Sequence, residues 1–252
     1  MRHELCRGDN RLWLYQLRDD PIEMIFADPP DNIGLEYEGV DDNLPVEDYI
    51  ALLDEWTRLF VSKAATTWIS FNARWVAQMG VIVDRLCTEN PDLEFKPCVQ
   101  VFTFGQNRKT DLGNGHRPLW RLRWPRGNVY PEQVKVESER QKMGDKRAAP
   151  GGKVPLDVFD FPRVTGNSKQ RRSWHKTQLH EGLVERCIKL STKPGDWVVD
   201  PFGGTGTTLR VCRRIDRWCT LIEMSAKYCS HIAAEHEMDL RESGELTRWE
   251  VH

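Results

Sequence analysis

The sequence of 252 residues lacks the long apolar stretch that a membrane-spanning helix requires. No run approaches the roughly 18 apolar residues of such a helix. Residues 1–7 contain no apolar run of the kind found in secretory signals. Neither sign of charge is in excess, because 36 Lys and Arg accompany 38 Asp and Glu. We therefore expect a cytoplasmic protein without membrane contact, in which any nucleic-acid contact comes from a local basic patch.

Paired cysteines are also lacking. The chain has seven cysteines, an odd number, and no two of them have the C-x-x-C spacing typical of zinc sites. This pattern favours neither a metal site nor a disulfide framework. It is typical of a protein in a reducing compartment.

Alternating short apolar runs and helical patterns occupy most of the chain. Strands are predicted at residues 22–27, 66–71, 97–104, 197–200 and 218–222. Helices are predicted at residues 46–61, 73–86, 180–190, 207–214 and 226–236. This alternation predicts an α/β fold with a mainly parallel, doubly wound sheet.

Residues 106–172 differ in composition from the rest of the chain. They contain sixteen Lys and Arg but only seven Asp and Glu, and they lack a long periodic pattern. A solvated loop region is one interpretation. However, aromatic residues such as Trp120 and Trp124 alternate with the basic ones, as on a nucleic-acid-binding surface. We therefore expect one catalytic domain, formed by residues 1–105 and 173–252, that carries residues 106–172 as a basic insert.

A glycine-rich turn follows the predicted strand at residues 197–200, with the sequence Asp200-Pro201-Phe202-Gly203-Gly204-Thr205-Gly206-Thr207. Glycines let the backbone approach a ligand closely, and the helix that follows offers free N–H groups. Leu209 stands where a dinucleotide-binding fingerprint has its third glycine. Gly206 is followed by Thr207, whereas a Walker loop has a lysine at that position. The next strand leads to Glu223, which can accept hydrogen bonds from ribose hydroxyls beside the turn. The combination predicts an adenosine-bearing cofactor without a pyrophosphate.

A second turn, Asp28-Pro29-Pro30-Asp31, follows the predicted strand at residues 22–27. Two prolines fix φ and remove two N–H donors, so the turn is stiff. It can hold the carboxylate of Asp28 and the bare carbonyl of Pro29 toward one point. Two acceptors of this kind suit the amino group of a ligand, although taken alone the motif is also typical of an ordinary proline-rich turn.

Taken together, the two turns resemble those of the amino-group DNA methyltransferases, which methylate adenine N6 or cytosine N4 with S-adenosylmethionine. The Asp-Pro-Pro turn precedes the glycine turn here, with the basic insert between them, and this order resembles the β class of the family. Asp9 in Arg7-Gly8-Asp9-Asn10 and the sequence His175-Lys176-Thr177-Gln178 resemble two further motifs, Gly-Asp and His-Pro-Thr-Gln. The resemblance covers residues 1–105 and 173–236. Residues 106–172 match only in position and charge the part of the family that holds its target-recognition region, and the resemblance implies that role for them. It implies a Rossmann-like methyltransferase fold with a circularly permuted motif order.

The resemblance also implies the roles of individual residues. The catalytic group would be Asp28, Pro29, Pro30 and Asp31. S-adenosylmethionine would be bound by Asp9, Asp28, Thr177, Gln178, Asp200, Pro201, Phe202, Gly203, Gly204, Thr205, Gly206, Thr207 and Glu223. The expected partner is double-stranded DNA with its target base flipped out, contacted by Arg117, Arg121, Arg123, Lys169, Arg171 and Arg172. A restriction-modification role and a homodimer are compatible with the family.

Two positions depart from the family pattern. The family usually has an aromatic residue after Asp-Pro-Pro, which stacks on the flipped base, whereas this chain has Asp31. A carboxylate cannot stack, so either Tyr37 or a tryptophan of the insert would have to do so, or the target base would be held in a different way. Lys176 replaces the proline of His-Pro-Thr-Gln.

The target base is the point on which the interpretations divide. Adenine N6 is favoured because Asp28 begins the motif, where the cytosine-N4 enzymes more often carry serine. The alternatives are a cytosine-N4 methyltransferase, methylation of RNA or of a free nucleotide, and, because of Asp31, a catalytically inactive nucleic-acid-binding protein.

Overall fold

The computed structural model describes residues 3–17, 22–36, 38–39, 41–102, 108–147, 150–166, 168–175 and 177–242. These residues form one sheet of ten strands, flanked by helices. The strands are β1 (His3–Arg7), β2 (Ile22–Ala27), β3 (Ala64–Ser70), β4 (Glu94–Lys96), β5 (Val99–Val101), β6 (His116–Arg123), β7 (Val158–Asp160), β8 (Trp197–Asp200), β9 (Trp218–Glu223) and β10 (Leu240–Glu242). The helices are α1 (Asn10–Gln16), α2 (Val46–Lys63), α3 (Val76–Glu89), α4 (Glu139–Lys142), α5 (Glu181–Ser191), α6 (Thr207–Arg214) and α7 (Ala226–His236). None of the helices in the described ranges is both long and apolar enough to cross a bilayer.

The strand order is β10-β1-β9-β8-β2-β3-β6-β5-β7, and β4 also pairs with β6. Every pairing from β10 to β3 is parallel, whereas β6 runs antiparallel to both β3 and β5. The predicted α/β fold with a mainly parallel sheet is therefore confirmed. Strands β2 and β8 are far apart in the chain but adjacent in the sheet, with Ile25 opposite Val199. Their carboxyl ends lie side by side, which is where ligands bind in open α/β sheets.

Two apolar cores cover the two faces of the sheet. One contains side chains of α1, α2 and α3, and the other contains side chains of α5, α6 and α7. Strand β2 contributes to both, since Met24 and Phe26 lie in one core and Ile25 and Ala27 in the other. Successive residues of a strand point to opposite faces, so a strand buried on both sides has to be apolar throughout.

Helix α2 shows why this part of the sequence forms a helix. Its buried residues Tyr49, Leu53, Trp56 and Phe60 are spaced four, three and four apart, which places them on one face. Acidic side chains occupy its first turn and Lys63 its last, in accord with the helix dipole. The buried face of α2 presents Tyr49 and Trp56 to the end of the sheet where the functional site lies.

Part of the segment expected to be an insert belongs to the sheet. Strand β6 pairs with β3 from Thr66 opposite Arg123 to Ser70 opposite Leu119. Trp120 packs edge-on against Phe71, with ring centroids 4.9 Å apart. Residues 116–123 of the segment 106–172 are therefore part of the α/β core. The end of the strand expected at residues 97–104 lies outside the described residues.

Candidate active site

A cavity of about 640 Å³ lies at the carboxyl ends of β1, β2, β8 and β9. Its wall includes Asp28 of the Asp-Pro-Pro turn and Gly204 of the glycine turn. All four catalytic candidates line it, as do all the cofactor candidates except Gly206. The parallel pairing of β2 with β8 brings the two motifs together, although 172 residues separate their aspartates Asp28 and Asp200 in the numbering.

The Asp-Pro-Pro turn is held in place from two sides. The Tyr49 hydroxyl donates to the carbonyl of Pro30 at 2.5 Å, and the Trp75 indole N–H donates to the carbonyl of Asp31 at 2.8 Å. The two aromatic rings also pack against each other, with centroids 4.8 Å apart. Buried hydrogen bonds and fixed proline φ angles together make this turn a rigid mount for Asp28.

Both aspartates of the turn bind one arginine that the motifs do not contain. Arg117, from β6, donates from Nη2 to Asp28 Oδ1 at 2.8 Å. It also donates from Nη1 to Asp31 Oδ2 at 2.8 Å and from Nη2 to Asp31 Oδ1 at 2.9 Å. Its Nε donates to the Ser70 hydroxyl at 2.7 Å. We expected Arg117 on a DNA-facing surface, and the structure instead places its side chain, 18% exposed, in the cavity wall.

The ion-pair cluster determines the protonation of the site. Burial raises the pKa of the Asp28 carboxyl above its ordinary value; the charge of Arg117 opposes this shift and the charge of Asp31 adds to it. Burial alone would lower the pKa of Arg117, but the charges of Asp28 and Asp31 outweigh it and raise that pKa. The guanidinium is therefore a permanent cation between two carboxyl groups.

The glycine turn is organised by two carboxyl groups. Asp200 accepts the Phe202 N–H at 2.9 Å on Oδ1 and the Thr208 hydroxyl on Oδ2. Glu223 accepts the Gly204 N–H at 2.7 Å on Oε2. Gly204 has φ +50°, in the left-handed region that favours glycine, and a Cβ there would lie 3.2 Å from His175 Nε2.

These features fit S-adenosylmethionine. The glycine turn presents backbone close to the cavity with no side chain at Gly204, and a carboxylate at Glu223 stands beside it as an acceptor for hydroxyl groups. Burial raises the pKa of Glu223 above its ordinary value, while hydrogen bonds from the Ser225 and Gly204 N–H groups oppose that shift. A carboxylate oxygen can accept two hydrogen bonds, so Glu223 retains acceptor capacity for a ribose hydroxyl.

The other cofactor candidates have clear structural partners. Asp9 caps α1 and binds Arg11, with Nη2 of Arg11 2.6 Å from Asp9 Oδ2. Gln178 accepts the Arg172 N–H and donates to the carbonyl of Gln170. The Thr177 N–H donates to His175 Nδ1 at 3.2 Å. The motif around Thr177 thus orients the His175 ring, whose Nε2 faces Gly204.

The remaining DNA-contact candidates do not share one environment. Arg121 lies over the Trp68 ring at 5.7 Å, and Arg123 forms an ion pair with Glu94. Arg172 forms an ion pair with Glu235. By contrast, Lys169 and Arg171 are exposed.

The stacking partner expected to replace an aromatic at position 31 is not supplied by Trp120 or Trp124, because neither lines the cavity. The indole N–H of Trp124 instead donates to the carbonyl of Val61 at 2.7 Å. Tyr37, the other candidate, lies outside the described residues, as does Lys176.

The sequence analysis did not single out Asn10, and it assigned Arg117 to DNA contact rather than to the Asp-Pro-Pro turn. Asn10 is buried; it donates to the carbonyl of Pro201 at 3.1 Å and accepts the indole N–H of Trp56 at 3.1 Å. It thereby ties α1 and α2 to the glycine turn. The only signal for Arg117 is Asp31 itself, because a carboxylate within a buried turn requires a cation nearby.

We predict that Asp200 makes stability depend on pH. Burial raises the pKa of Asp200 from 3.8 to about 8 in the folded chain. The folded state therefore binds this proton more tightly than the unfolded state, and the resulting stability is lost progressively as the pH rises from 3.8 to about 8. The loss from one group is at most about 1.4 kcal/mol per pH unit. Urea unfolding across this pH range should show a shallower decline for Asp200→Asn, which mimics the neutral acid, and an unchanged slope would contradict the prediction.

No group of His, Cys, Asp or Glu side chains suited to a metal ion occurs within the ranges that the structure describes. The cysteines are all unpaired, and six of the seven are buried. Carboxyl groups, backbone amides and Arg117 are among the polar groups that line the cavity.

Comparison with known proteins identifies the family. A family model for N6 and N4 methyltransferases, described as DNA methylase, matches residues 22–235. The match spans most of the chain, so the protein belongs to this DNA methylase family. The predictions of the amino-group methyltransferase family, its fold and its S-adenosylmethionine cofactor are confirmed.

Two relatives match most of the chain at less than 30% sequence identity. The chain is 29% identical to the type II methyltransferase M.ScaI of Streptomyces caespitosus over 240 residues, which are 89% of this chain and 78% of that protein. It is 27% identical to the DNA adenine methyltransferase YhdJ of Escherichia coli (strain K12) over 278 residues, covering 97% and 90% of the two chains.

Solved structures share the fold at lower identity. PvuII DNA methyltransferase, described as cytosine-N4-specific, has a TM-score of 0.68 and 17% identity, covering 95% of this chain and 87% of its own. The complex of M1.HpyAVI with S-adenosylmethionine has a TM-score of 0.65 and 19% identity, covering 94% and 100%.

Proposed function

We propose that the protein transfers a methyl group from S-adenosylmethionine to the exocyclic amino group of a base in DNA, with adenine N6 favoured over cytosine N4. The observation that carries the proposal is the single cavity shared by Asp28 and the glycine turn around Gly204. A group-transfer enzyme needs its donor and acceptor in one such space, because alignment of the reacting atoms supplies much of its rate.

The chain's own residues explain how the acceptor is activated. An exocyclic amine is a weak nucleophile because its lone pair is delocalised into the ring. Hydrogen bonds from its N–H groups to Asp28 and to the carbonyl of Pro29 would favour a pyramidal nitrogen and stabilise the positive charge that develops on it. Because that charge grows in the transition state, these acceptors should raise the rate as well as the affinity.

The cofactor supplies an activated methyl group when it is bound. Glu223 would accept hydrogen bonds from its ribose, and backbone groups from Gly203 to Thr205 would surround it at the turn. The His175 ring packs over Gly204, which defines the width of this part of the cavity. Burial lowers the pKa of His175 to about 4, so the ring is neutral at physiological pH and adds no charge beside a cationic sulfonium.

The preference for adenine rests on Asp28 as the first residue of the motif, and it agrees with the description of the relative YhdJ as an adenine methyltransferase. The PvuII enzyme, with a similar fold, is described as cytosine-N4-specific, so cytosine N4 is the alternative. Flipping the base out of a duplex costs a few kcal/mol. We propose that residues 106–172 offset this cost through phosphate contacts and form the target-recognition region, with Lys169 and Arg171 exposed for such contacts.

The proposal also covers the setting of the enzyme. We propose a cytoplasmic location and a restriction-modification context, in keeping with seven unpaired cysteines and with the type II methyltransferases among the relatives. A homodimer is part of the proposal, and light scattering at working concentration tests it directly.

The deciding experiment measures transfer of a labelled methyl group from S-adenosylmethionine to mixed-sequence DNA, followed by mass spectrometry of the nucleosides. We expect N6-methyl-2′-deoxyadenosine from duplex DNA. N4-methylcytosine would establish the alternative base. DNA binding without any methyl transfer would establish the inactive binding protein, and transfer to RNA or free nucleotides in preference to DNA would overturn the proposal.

A further inference from the structure

The carboxylate at position 31 has a dedicated partner. Both oxygens of Asp31 accept hydrogen bonds from the guanidinium of Arg117, at 2.8 and 2.9 Å, in a two-pronged arrangement. The Asp31 side chain is only 14% exposed. Two parallel N–H···O bonds give such a pair both strength and a fixed orientation.

Arg117 uses its other donors on groups around the reaction centre. Nη2 donates to Asp28 Oδ1 and Nε donates to the Ser70 hydroxyl. Ser70 also bonds the Asp28 carboxyl. All three nitrogens of the guanidinium are therefore engaged, and Arg117 could reach a DNA phosphate only by breaking these partly buried bonds.

The charges of the three side chains suggest why both Asp31 and Arg117 are present. If Arg117 were absent, two carboxyl groups would share a poorly solvated pocket, and one of them would take up a proton. If Asp31 were absent, the positive charge of Arg117 would cancel the negative charge of the Asp28 carboxylate. With all three ionised, the cluster would carry one net negative charge, and the charge of Arg117 would oppose the rise that burial causes in the pKa of Asp28.

We propose that Arg117 and Asp31 are positioning residues for methyl transfer, in which Arg117 fixes the carboxylate of Asp28 and Asp31 balances the charge of Arg117. This inference rests on the proposed function, because it assigns Asp28 the role of accepting the N–H of the target amine. It replaces a stacking aromatic at position 31 with an electrostatic device. The transition state gains from it because positive charge develops on the amine beside a carboxylate that is not neutralised.

The two residues should have opposite effects on the titration of Asp28. The charged and titratable groups that face Asp28 are Arg117 from β6, Asp31 from its own turn, Tyr49 from α2 and Asp200 from the glycine turn. Loss of the cation at 117 should raise the pKa of Asp28 by about 1 to 3 pH units, whereas loss of the anion at 31 should lower it.

The experiment compares Arg117→Met, Arg117→Lys and Asp31→Asn with the wild type. Arg58→Met is the matched control, because Arg58 of α2 pairs with Asp54 of the same helix and Glu89 of α3, and it does not line the cavity. The carboxyl titration of Asp28 is followed by ¹³C NMR, with its resonance assigned by its loss in Asp28→Asn. The dependence of kcat on pH and the KM for DNA are measured on the same proteins.

We expect the acidic limb of the pH profile of kcat to move to higher pH in Arg117→Met and to lower pH in Asp31→Asn. The maximal kcat reached above this limb should be lower in Asp31→Asn than in the wild type. Arg117→Lys keeps the charge without the planar fork, so its limb should stay near the wild-type position while kcat falls. The KM for DNA should not change. Shifts in the same direction, or none, would overturn the proposal, as would a raised KM with a weaker salt dependence, which would make Arg117 a phosphate contact.

Failure of the proposed function would have a different signature. A wild-type protein that transfers no methyl group to DNA would refute that function, whereas the NMR titration of Asp28 would still report on the cluster. If Arg117→Met does not fold, Asp31→Asn and Arg117→Lys remain, and a titration of Asp28 that is identical in both and in the wild type would refute the pairing.

Discussion

The Asp28→Ala variant is expected to bind S-adenosylmethionine normally and to transfer methyl groups at least about 100-fold more slowly than the wild type. Alanine removes the carboxylate that accepts the N–H of the target amine and leaves only the carbonyl of Pro29. The Arg117–Asp31 pair does not depend on Asp28, so the wall of the cavity should keep its shape. Single-turnover transfer of a labelled methyl group to DNA, together with cofactor titration by calorimetry, measures the two quantities separately.

Two further variants sharpen this test. Asp28→Asn keeps the size of the side chain but removes its negative charge, so a rate close to that of alanine would assign the effect to charge. Asp92→Ala removes an exposed carboxyl group outside the cavity and should behave as the wild type. A wild-type rate in Asp28→Ala would rule out the assignment of Asp28 as the catalytic acceptor.

The strands that the sequence predicts are those rich in apolar and β-branched residues. Strand β2 is an example, because burial on both faces leaves no polar position in its inner part. Strand β10 lies at one edge of the sheet and β1 lies beside it; both are short, contain charged residues and lack a long apolar run. Strand β6 contains three arginines, which made it look like a basic surface.

The arginines of β6 explain that error in physical terms. Arg121 lays its side chain over Trp68, and Arg123 reaches Glu94. A long side chain can bury its aliphatic part against a core while its charge finds a partner elsewhere. Counting charges along the sequence does not reveal such partners, because they depend on the antiparallel register of β6 with β3 and with β4.

The same distinction applies to the site. The Asp-Pro-Pro turn and the glycine turn are each a continuous stretch of sequence. Their proximity in the fold follows from the rule that parallel strands present their carboxyl ends at one edge of the sheet. Arg117 belongs to neither motif and lies 86 residues from Asp31 in the chain. Asp31 in place of an aromatic was therefore the one local sign of the ion-pair cluster. Only the register of the sheet shows that Arg117 is the cation that pairs with Asp31.

The Gly204→Val variant is expected to lose cofactor affinity by at least about 100-fold, because a β-branched residue cannot easily adopt the left-handed backbone at this position. Gly204 has φ +50°, and its missing Cβ would lie 3.2 Å from His175 Nε2, on the wall of the cavity. A shift of the backbone toward ordinary φ would also break the bond from the Gly204 N–H to Glu223. Calorimetric titration with S-adenosylmethionine measures the loss.

The matched control for Gly204→Val is Gly195→Val, in the turn between α5 and β8. Gly195 has φ +86° and open space where its Cβ would be, and it does not line the cavity. Valine at position 195 should therefore destabilise the folded chain by about 1 to 2 kcal/mol through backbone strain, without changing the affinity for S-adenosylmethionine. If both variants lost stability equally and both bound S-adenosylmethionine with wild-type affinity, Gly204 would be a structural glycine and the cofactor would lie elsewhere in the cavity. If only Gly204→Val lost affinity, backbone strain alone would be excluded as the cause, and the absence of a side chain at Gly204 would be a requirement of cofactor binding.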